Sequence, residues 1–227
     1  MFIGHYAAGF AAKRIAPRAS LGMLFAAAQL PDLIWPLFLL GGWERVRIVP
    51  NAGTFAHLEF THYPISHSLL GTIVCGALLG VVYWAKSRDG YGAVTVALLV
   101  MSHWLLDFVT HRPDLPLYPG GSARVGLGLW NSPAATVALE AAMFAGALAV
   151  YSRTTRPLDR TGSYALWSLV TVILVVYLSD IMGPPPPDTR TLALFALAGW
   201  LLPPWAAWAD RHRALAAEHT APAAARA

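Results

Sequence analysis

The chain has 227 residues, of which 56% are hydrophobic and only 12% are charged. A soluble domain carries roughly 25% charged residues to cover its surface, so this composition excludes an ordinary soluble globular protein. The formal net charge is +4, but the 16 Lys and Arg residues are scattered between apolar runs rather than gathered in a basic stripe, which excludes nucleic acid as a partner. We therefore expect one integral membrane domain in contact with the lipid bilayer.

Apolar runs long enough to cross a membrane follow one another along most of the chain. A crossing helix needs about 20 predominantly apolar residues. The six candidate spans are Ser20–Leu40, Ser66–Ala85, Tyr91–His111, Ser132–Tyr151, Ser163–Met182 and Thr191–Trp208. A shorter run, Phe2–Ala16, precedes them, and its basic residues follow the apolar stretch, which is the wrong order for a signal peptide. The predicted fold is all-α: a polytopic transmembrane helix bundle of six spans plus a short N-terminal membrane-inserted helix.

Turn-forming residues separate the predicted spans. Gly41-Gly42, Pro119-Gly120-Gly121 and the proline run from Pro184 to Pro187 all interrupt helices. We expect a single integral membrane domain over residues 1–209. Residues 210–227 form an Ala-rich cytoplasmic tail, which we expect to be partly disordered and to fray at Ala221-Pro222.

The basic residues predict the orientation of the bundle, because Lys and Arg tend to stay on the cytoplasmic side. If the six spans alternate in direction, eleven of the 16 Lys and Arg residues fall on one side. The five on the other side are Arg45, Arg47, Arg112, Arg124 and Arg190. The loops Gly41–Ile65, Arg112–Asn131 and Gly183–Arg190 are therefore expected to lie outside.

Ionisable residues lie inside the predicted spans or at their edges, where a charge costs at least ~2.5 to 3.5 kcal/mol at the bilayer centre. At about 1.5 Å of rise per residue, Asp32, His103 and Glu140 each lie roughly 12 to 13 Å below the outer end of their span. Asp180 and His67 lie nearer the outer ends of theirs, and His5 joins them if the short first helix enters from outside. We expect one polar cluster in the outer leaflet.

The clearest local pattern is Ser102-His103-Trp104-Leu105-Leu106-Asp107-Phe108-Val109-Thr110-His111. His103, Asp107 and His111 are spaced at i, i+4 and i+8, so they share one helical face. Imidazole and carboxylate are ligands that zinc, manganese and iron accept. Hydrogen bonds between helices, with His and Asp satisfying each other, would explain the same pattern.

A second pattern precedes the following span, at Thr61-His62-Tyr63-Pro64-Ile65-Ser66-His67-Ser68. Pro64 favours an extended approach, and Ser66 is the expected N-cap, which would place His67 in the first helical turn. A water-exposed pair of histidines is the alternative. Five histidines and two aspartates of compatible depth nevertheless favour a metal site: His5, Asp32, His62, His67, His103, Asp107 and His111.

At these residues the chain resembles the YdjM-like family of membrane-bound, metal-dependent hydrolases, which are described as inner membrane proteins. The resemblance is carried by Gly4-His5, Leu30-Pro31-Asp32, Ser66-His67-Ser68 and the stretch from His103 to His111, within roughly the first half of the chain. It implies that His5, Asp32, His67, His103, Asp107 and His111 are metal ligands, and that the protein lies in the bacterial cytoplasmic (inner) membrane.

Such a site would support hydrolysis by a metal-activated water, with zinc as the expected ion and manganese or iron as alternatives. Asp107 or Glu140 could serve as general base, and Asp114 and Asp180 are expected to support the ligands from behind. Because the cluster opens toward the outer leaflet, an amphiphilic or phosphorylated substrate, either a phosphoester or a lipid-like molecule, is expected.

Two other functions fit the same residues. A proton- or ion-coupled transporter could use the His, Asp and Glu cluster as a relay, although the inner halves of the spans offer almost no polar residues to continue a path. A non-catalytic scaffold could use a fully ligated metal to hold the bundle together.

Overall fold

The computed structural model describes residues 1–50 and 57–216. Its helices are α1 (Ile3–Ile15), α2 (Leu21–Ala28), α3 (Leu30–Leu40), α4 (Leu69–Ser87), α5 (Gly90–Thr110), α6 (Pro133–Thr154), α7 (Arg160–Met182), α8 (Thr189–Ala196) and α9 (Leu202–Arg211). Three short antiparallel strand pairs connect them: β1 (Arg45–Ile48) with β2 (Leu58–His62), β3 (Leu115–Pro116) with β4 (Arg124–Val125), and β5 (Thr155–Pro157) with β6 (Arg213–Leu215).

Within the described residues, five helical segments are long and apolar enough to cross a membrane. They are α4, α5, α6, α7 and the segment Thr189–Arg211, in which a 3-10 turn at Leu197–Leu201 joins α8 to α9. The bent pair α2 and α3 supplies a sixth when it is counted as one span. With the short helix α1 in front of them, the prediction of an all-α membrane bundle of six spans is confirmed.

The predicted span Ser20–Leu40 consists of two helices, α2 and α3. The chain bends by 54° between α2 and α3, at Gln29. Pro31 explains the break, because it has no N–H to donate to the preceding turn and its ring crowds the carbonyl four residues earlier. The last carbonyls of α2 are thereby left available to partners from other helices.

The expected N-cap of the next span, Ser66, is wrong. Ser68 caps α4, since its hydroxyl accepts from the backbone N–H of Gly71. Ser66 instead donates its hydroxyl proton to Glu44. His67 therefore lies just before the helix rather than inside its first turn. The expected loop Gly41–Ile65 contains β1 and β2, and Arg47 forms an ion pair with Glu59 across them.

The short helix α1 lies inside the bundle. It packs mainly on α6, α2 and α5, and its Phe10 is fully buried against Phe25 and Phe144. Thirteen residues of α-helix span about 20 Å, which is less than the hydrocarbon thickness of about 30 Å. Although the helix is shorter than the membrane is thick, His5 at its start contacts Asp107 and Lys13 near its end contacts Asp210.

The outward faces of the long helices are apolar. Leu78 and Val81 on α4 are each 62% exposed, and Leu98 on α5 and Val175 on α7 are more than half exposed. Exposed apolar surface of this extent is unfavourable in water and is satisfied by lipid. The chain is therefore an integral membrane protein.

A buried ion pair joins the chain's two halves at the end of α1 opposite His5. Lys13 Nζ lies 2.7 Å from Asp210 Oδ2, which also accepts from the backbone N–H of Leu21. The other oxygen of Asp210 accepts from the hydroxyl of Tyr151. The residues at 213–215 then pair with β5. The predicted tail thus starts inside α9, and its predicted fraying at Ala221-Pro222 lies outside the described residues.

Removing the Asp210 carboxylate should destabilise the bundle. In the Asp210→Ala variant, the ammonium of Lys13 and the hydroxyl of Tyr151 lose a buried partner, which we expect to cost about 3 kcal/mol. Thermal unfolding of the detergent-solubilised protein measures the change. The control is Asp188→Ala, because Asp188 is an exposed N-cap of α8 and its loss should cost about 1 kcal/mol. Equal decreases in the unfolding temperature of Asp210→Ala and Asp188→Ala would contradict the importance of the ion pair.

Candidate functional site

A cluster of histidines and aspartates surrounds the carboxylate of Asp107, which is 2% exposed on α5. One oxygen, Oδ1, contacts the start of α1: the amine of Met1 at 2.7 Å and His5 Nε2 at 3.1 Å. The other oxygen, Oδ2, faces three imidazoles. His103 Nε2 lies 3.2 Å away, His67 Nε2 3.8 Å and His111 Nε2 3.9 Å.

Asp32 lies on the other side of the same imidazoles. Its Oδ1 is 3.2 Å from His67 Nε2 and 3.7 Å from His103 Nε2. The bend between α2 and α3 positions this carboxylate in the first turn of α3. The side chain of Asp32 is 36% exposed, whereas His67 and His103 are almost fully buried. The cluster therefore has one open side, at Asp32.

The opposite ring nitrogen of each of the three imidazoles has a polar partner. His103 Nδ1 donates to the carbonyl of Ala28 at 2.8 Å, and His111 Nδ1 donates to Asp114 Oδ1 at 3.0 Å. His67 Nδ1 lies 2.7 Å from the hydroxyl oxygen of Ser66, which must accept because its own proton goes to Glu44. With Nδ1 protonated in each ring, the neutral imidazoles present the Nε2 lone pair to the carboxylates.

This arrangement places acceptors opposite acceptors. Three Nε2 lone pairs face the oxygens of Asp32 and Asp107, and His103 Nε2 is buried with no hydrogen-bond partner among the described residues. Either protons on the imidazoles or a bound cation relieves the repulsion. Histidines whose Nδ1 is held by a carbonyl or carboxylate are typical of metal sites, where the partner fixes the tautomer and the ring orientation.

The spacing of the facing atoms also fits a metal ion. Ligand atoms at about 2.1 Å from a tetrahedral ion lie about 3.4 Å from one another. The measured separations between the Nε2 atoms and the carboxylate oxygens are 3.2 to 3.9 Å. Two overlapping groups of described residues have ligand atoms within 4.8 Å of one another: Asp32, His67 and His103, and His5, His103 and Asp107.

Two glycines in the loop after α5 hold His111 in place. Gly128 donates its backbone N–H to the carbonyl of His111 at 2.6 Å, and Leu127 donates to Phe108. A Cβ at Gly126 would lie 2.1 Å from the carbonyl oxygen of Arg112, and both glycines have positive φ angles. Only glycine fits this close approach without strain. Trp130 then packs on the ring of His111, with 4.0 Å between centroids.

Tyr63 adds a second donor to Asp114. Its hydroxyl donates to Asp114 Oδ1 at 2.7 Å, the oxygen that also accepts from His111. Burial, together with the adjacent Asp114 carboxylate, raises the pKa of the Tyr63 hydroxyl above its ordinary value. The hydroxyl therefore stays protonated and keeps Asp114 in position behind His111.

Glu44 is a functional-site residue that the sequence analysis did not identify. It is 1% exposed and accepts three hydrogen bonds, from the backbone N–H groups of Ile65 and Ser66 and from the Ser66 hydroxyl. It thereby orients Ser66, which orients His67. The only sequence signal for this contact is an acid in a loop that follows an apolar run, which is too common to be informative.

The remaining predicted residues lie at different distances from the cluster. Glu140 on α6 accepts from the backbone N–H groups of Phe2 and Gly4 through Oε2, so it caps the start of α1, while its Oε1 is buried with no partner among the described residues. Asp180 lines the cavity that reaches Asp32 and Asp107. His62 is exposed at the end of β2, and no ion pair in the described part of the chain joins it to Asp32 or Asp107.

Comparison with known proteins identifies a family but no characterised relative. The family described as "YdjM inner membrane protein" matches residues 1–183, which include every residue of the cluster. No curated protein and no solved structure matches the chain. The family predicted from the sequence motifs is therefore confirmed.

Removing the Glu44 carboxylate should destabilise the loop that carries His67. In Glu44→Ala, the N–H groups of Ile65 and Ser66 and the Ser66 hydroxyl lose their acceptor, and we expect the free energy of unfolding to fall by about 3 kcal/mol. Glu44→Gln keeps one acceptor oxygen and should lose less. The control is Glu59→Ala, since the pair of Glu59 with Arg47 is exposed and should contribute less than about 1 kcal/mol. Thermal unfolding of the three variants checks this order. An unfolding temperature of Glu44→Ala that is no lower than that of Glu59→Ala would contradict the prediction.

Proposed function

The chain belongs to the YdjM inner membrane protein family, and from that premise and the geometry of the cluster we propose that it is a membrane-embedded, metal-dependent hydrolase. The observation that carries the proposal is the set of acceptor atoms of His67, His103, Asp32 and Asp107 that face one another at 3.2 to 3.8 Å. The substrate that we propose is a phosphoester or a lipid-like molecule.

The proposed metal ligands lie at the open side of the cluster. His67 Nε2, His103 Nε2, Asp32 Oδ1 and Asp107 Oδ2 are the nearest set, and His111 Nε2 lies 3.9 Å from Asp107 Oδ2. Nitrogen and oxygen donors in this number suit zinc, with manganese or iron as alternatives. His5 contacts Oδ1, the other oxygen of Asp107, so it either orients this carboxylate by a hydrogen bond or coordinates a second ion there.

When bound, a divalent metal supplies a water whose pKa falls from about 15.7 to about 7, and it neutralises charge on a phosphoryl or carbonyl oxygen. The chain's residues orient the ligands and accept the proton. Asp107 lines the cavity, whereas Glu140 is not among the described lining residues and holds α1 through two backbone N–H groups. We therefore assign the proton acceptor to Asp107 and a supporting position to Glu140.

Transport is the alternative, and the interior of the bundle argues against it. A relay needs polar groups that continue from the cluster to the other side of the membrane. Between His5 and Lys13, the buried residues of α1 are Tyr6, Ala7, Gly9, Phe10 and Ala12. Phe10 packs on Phe25 and Phe144, and Tyr6 packs on Phe25. This arrangement favours a site that is closed toward the Lys13 end.

Metal content tests the proposal directly. The protein purified in detergent without chelator should contain zinc, manganese or iron in near-stoichiometric amount by plasma mass spectrometry. The His103→Ala, Asp107→Ala double variant should lose it, because two of the nearest ligand atoms are gone. His212→Ala is the matched control, since His212 lies with Asp159 at the far end of the chain. A metal-free wild-type protein would overturn the hydrolase proposal and favour proton-coupled transport.

We further propose that the cluster faces the outer leaflet. The loops beside it, after α3, α5 and α7, together with the first turn of α8, carry five of the 16 Lys and Arg residues. The positive-inside tendency assigns the other side to the cytoplasm. In the cytoplasmic membrane of a bacterium, the cluster would then be reached from the periplasmic side or from the outer leaflet itself.

Cysteine labelling tests this orientation. In a Cys75→Ala background, a Ser122→Cys variant should react with a membrane-impermeant maleimide on intact spheroplasts, because residue 122 is exposed in the loop after α5. A Leu158→Cys variant should react only after lysis, since Leu158 is 58% exposed in the loop between α6 and α7. The reverse pattern would place the cluster on the cytoplasmic side.

A further inference from the structure

A cavity of about 310 Å³ connects the cluster with an apolar region of the bundle. At one end it is lined by Asp32, His67 and Asp107. At the other it is lined by side chains from three helices, Leu33 on α3, Val176 on α7 and Leu192 and Phe195 on α8. The region lined by these four apolar residues is called the apolar arm below.

The apolar arm borders the lipid-facing surface. Phe195 is 76% exposed and Val176 is 45% exposed, although both also line the cavity. Exposed apolar side chains on a membrane-spanning helix face lipid. Val176 of α7 and Leu192 and Phe195 of α8 line the cavity, so both helices bound it at the lipid-facing surface.

The two ends of the cavity suit different parts of one molecule. The cluster end offers carboxylates and imidazoles, which bind a metal or a polar group. The four residues of the apolar arm offer hydrocarbon and aromatic surface, from which water is displaced favourably by an alkyl chain. Asp180, one helical turn after Val176 on α7, also lines the cavity. A small water-soluble substrate would leave the apolar arm unused, whereas a molecule with a polar head and one chain would fill both ends.

We propose that the apolar arm binds the hydrocarbon chain of a membrane lipid, which reaches the site from the bilayer between α7 and α8 with its phosphorylated head at Asp32 and His67. The binding of the head rests on the proposed function, because a phosphate beside Asp32 and Asp107 needs a cation between them. The binding of the chain does not, since it depends only on apolar contact.

Gly199 offers a way to fill the apolar arm without disturbing the cluster. It lines the cavity from the 3-10 turn between α8 and α9. A Cβ at this position would lie 3.5 Å from Leu33 Cδ2, an ordinary contact distance. A leucine at 199 should therefore enter the apolar arm. Gly146 on α6 is the matched control, because a Cβ there meets nothing within 4 Å and the residue is not among the described residues that line the cavity.

The experiment measures binding of n-alkyl phosphates with four to ten carbons to the full chain in lipid nanodiscs. Each buried methylene should tighten binding by up to about fourfold in the wild-type protein and in Gly146→Leu. Gly199→Leu should bind the ten-carbon probe at least tenfold more weakly while leaving the four-carbon probe unchanged, and Gly199→Ala should fall between. Thermal unfolding of each variant checks that the bundle is intact.

The same titrations separate the two proposals. Equal dependence on chain length in Gly199→Leu and Gly146→Leu would overturn the apolar arm as a chain site, because the remaining dependence would come from partitioning into the nanodisc. Repeating the titrations after metal removal tests the head. If binding of the four-carbon probe does not depend on metal, the proposed function fails. The difference in ten-carbon probe affinity between Gly199→Leu and Gly146→Leu still tests whether the apolar arm binds the chain.

Discussion

The carboxylate of Asp107 lies fully enclosed in an apolar bundle, and much of the architecture compensates for that burial. An ionised group without water or a partner costs several kcal/mol even after relaxation of the surroundings. Three segments therefore supply its partners: the start of α1, the turn before α4, and α5 itself with its C-cap, which carry His103 and His111. A helix as short as α1 can lie in the interior because its polar end is satisfied there, by Asp107 and Glu140.

The loops at the same end of the bundle orient the site. Glu44 and Asp114 each stand behind one histidine, and neither contacts Asp107 in the described structure. Their contribution is to fix which nitrogen of each ring carries the proton, and so which nitrogen is free to bind. Rigid helices thus supply Asp32, His103 and Asp107, while loops held by backbone hydrogen bonds determine how the imidazoles point. A change in a loop can therefore alter the site without touching a ligand.

The sequence predicts the parts of this structure that depend on local pattern. Span length predicts the six spans, and helical rise predicts the common depth of Asp32 and His103. Each depth is counted from the end of the residue's own helix, so no contact between helices is needed. The contact of Glu44 with Ser66 could not be predicted, since it joins residues 22 positions apart through a strand pair that has no strong local signal. The cap at Ser68 depends on a competition between neighbouring serines, and tertiary contacts decide such competitions. The bend at Gln29, in contrast, has a local cause, because Pro31 interrupts the helix.

The two polar regions of α1 have opposite consequences for function. At one end, Lys13 and Asp210 neutralise each other and Tyr151 completes the pair, so no acceptor is left to bind a ligand. At the other end, His103 Nε2 faces carboxylates and has no hydrogen-bond partner among the described residues, and Asp32 opens this region to a cavity. The apolar core around Phe10 separates the two. Between His5 and Lys13, α1 therefore offers no carboxylate, imidazole or ammonium group that could link the two regions. This separation supports the proposed hydrolase site over the alternative of transport along α1.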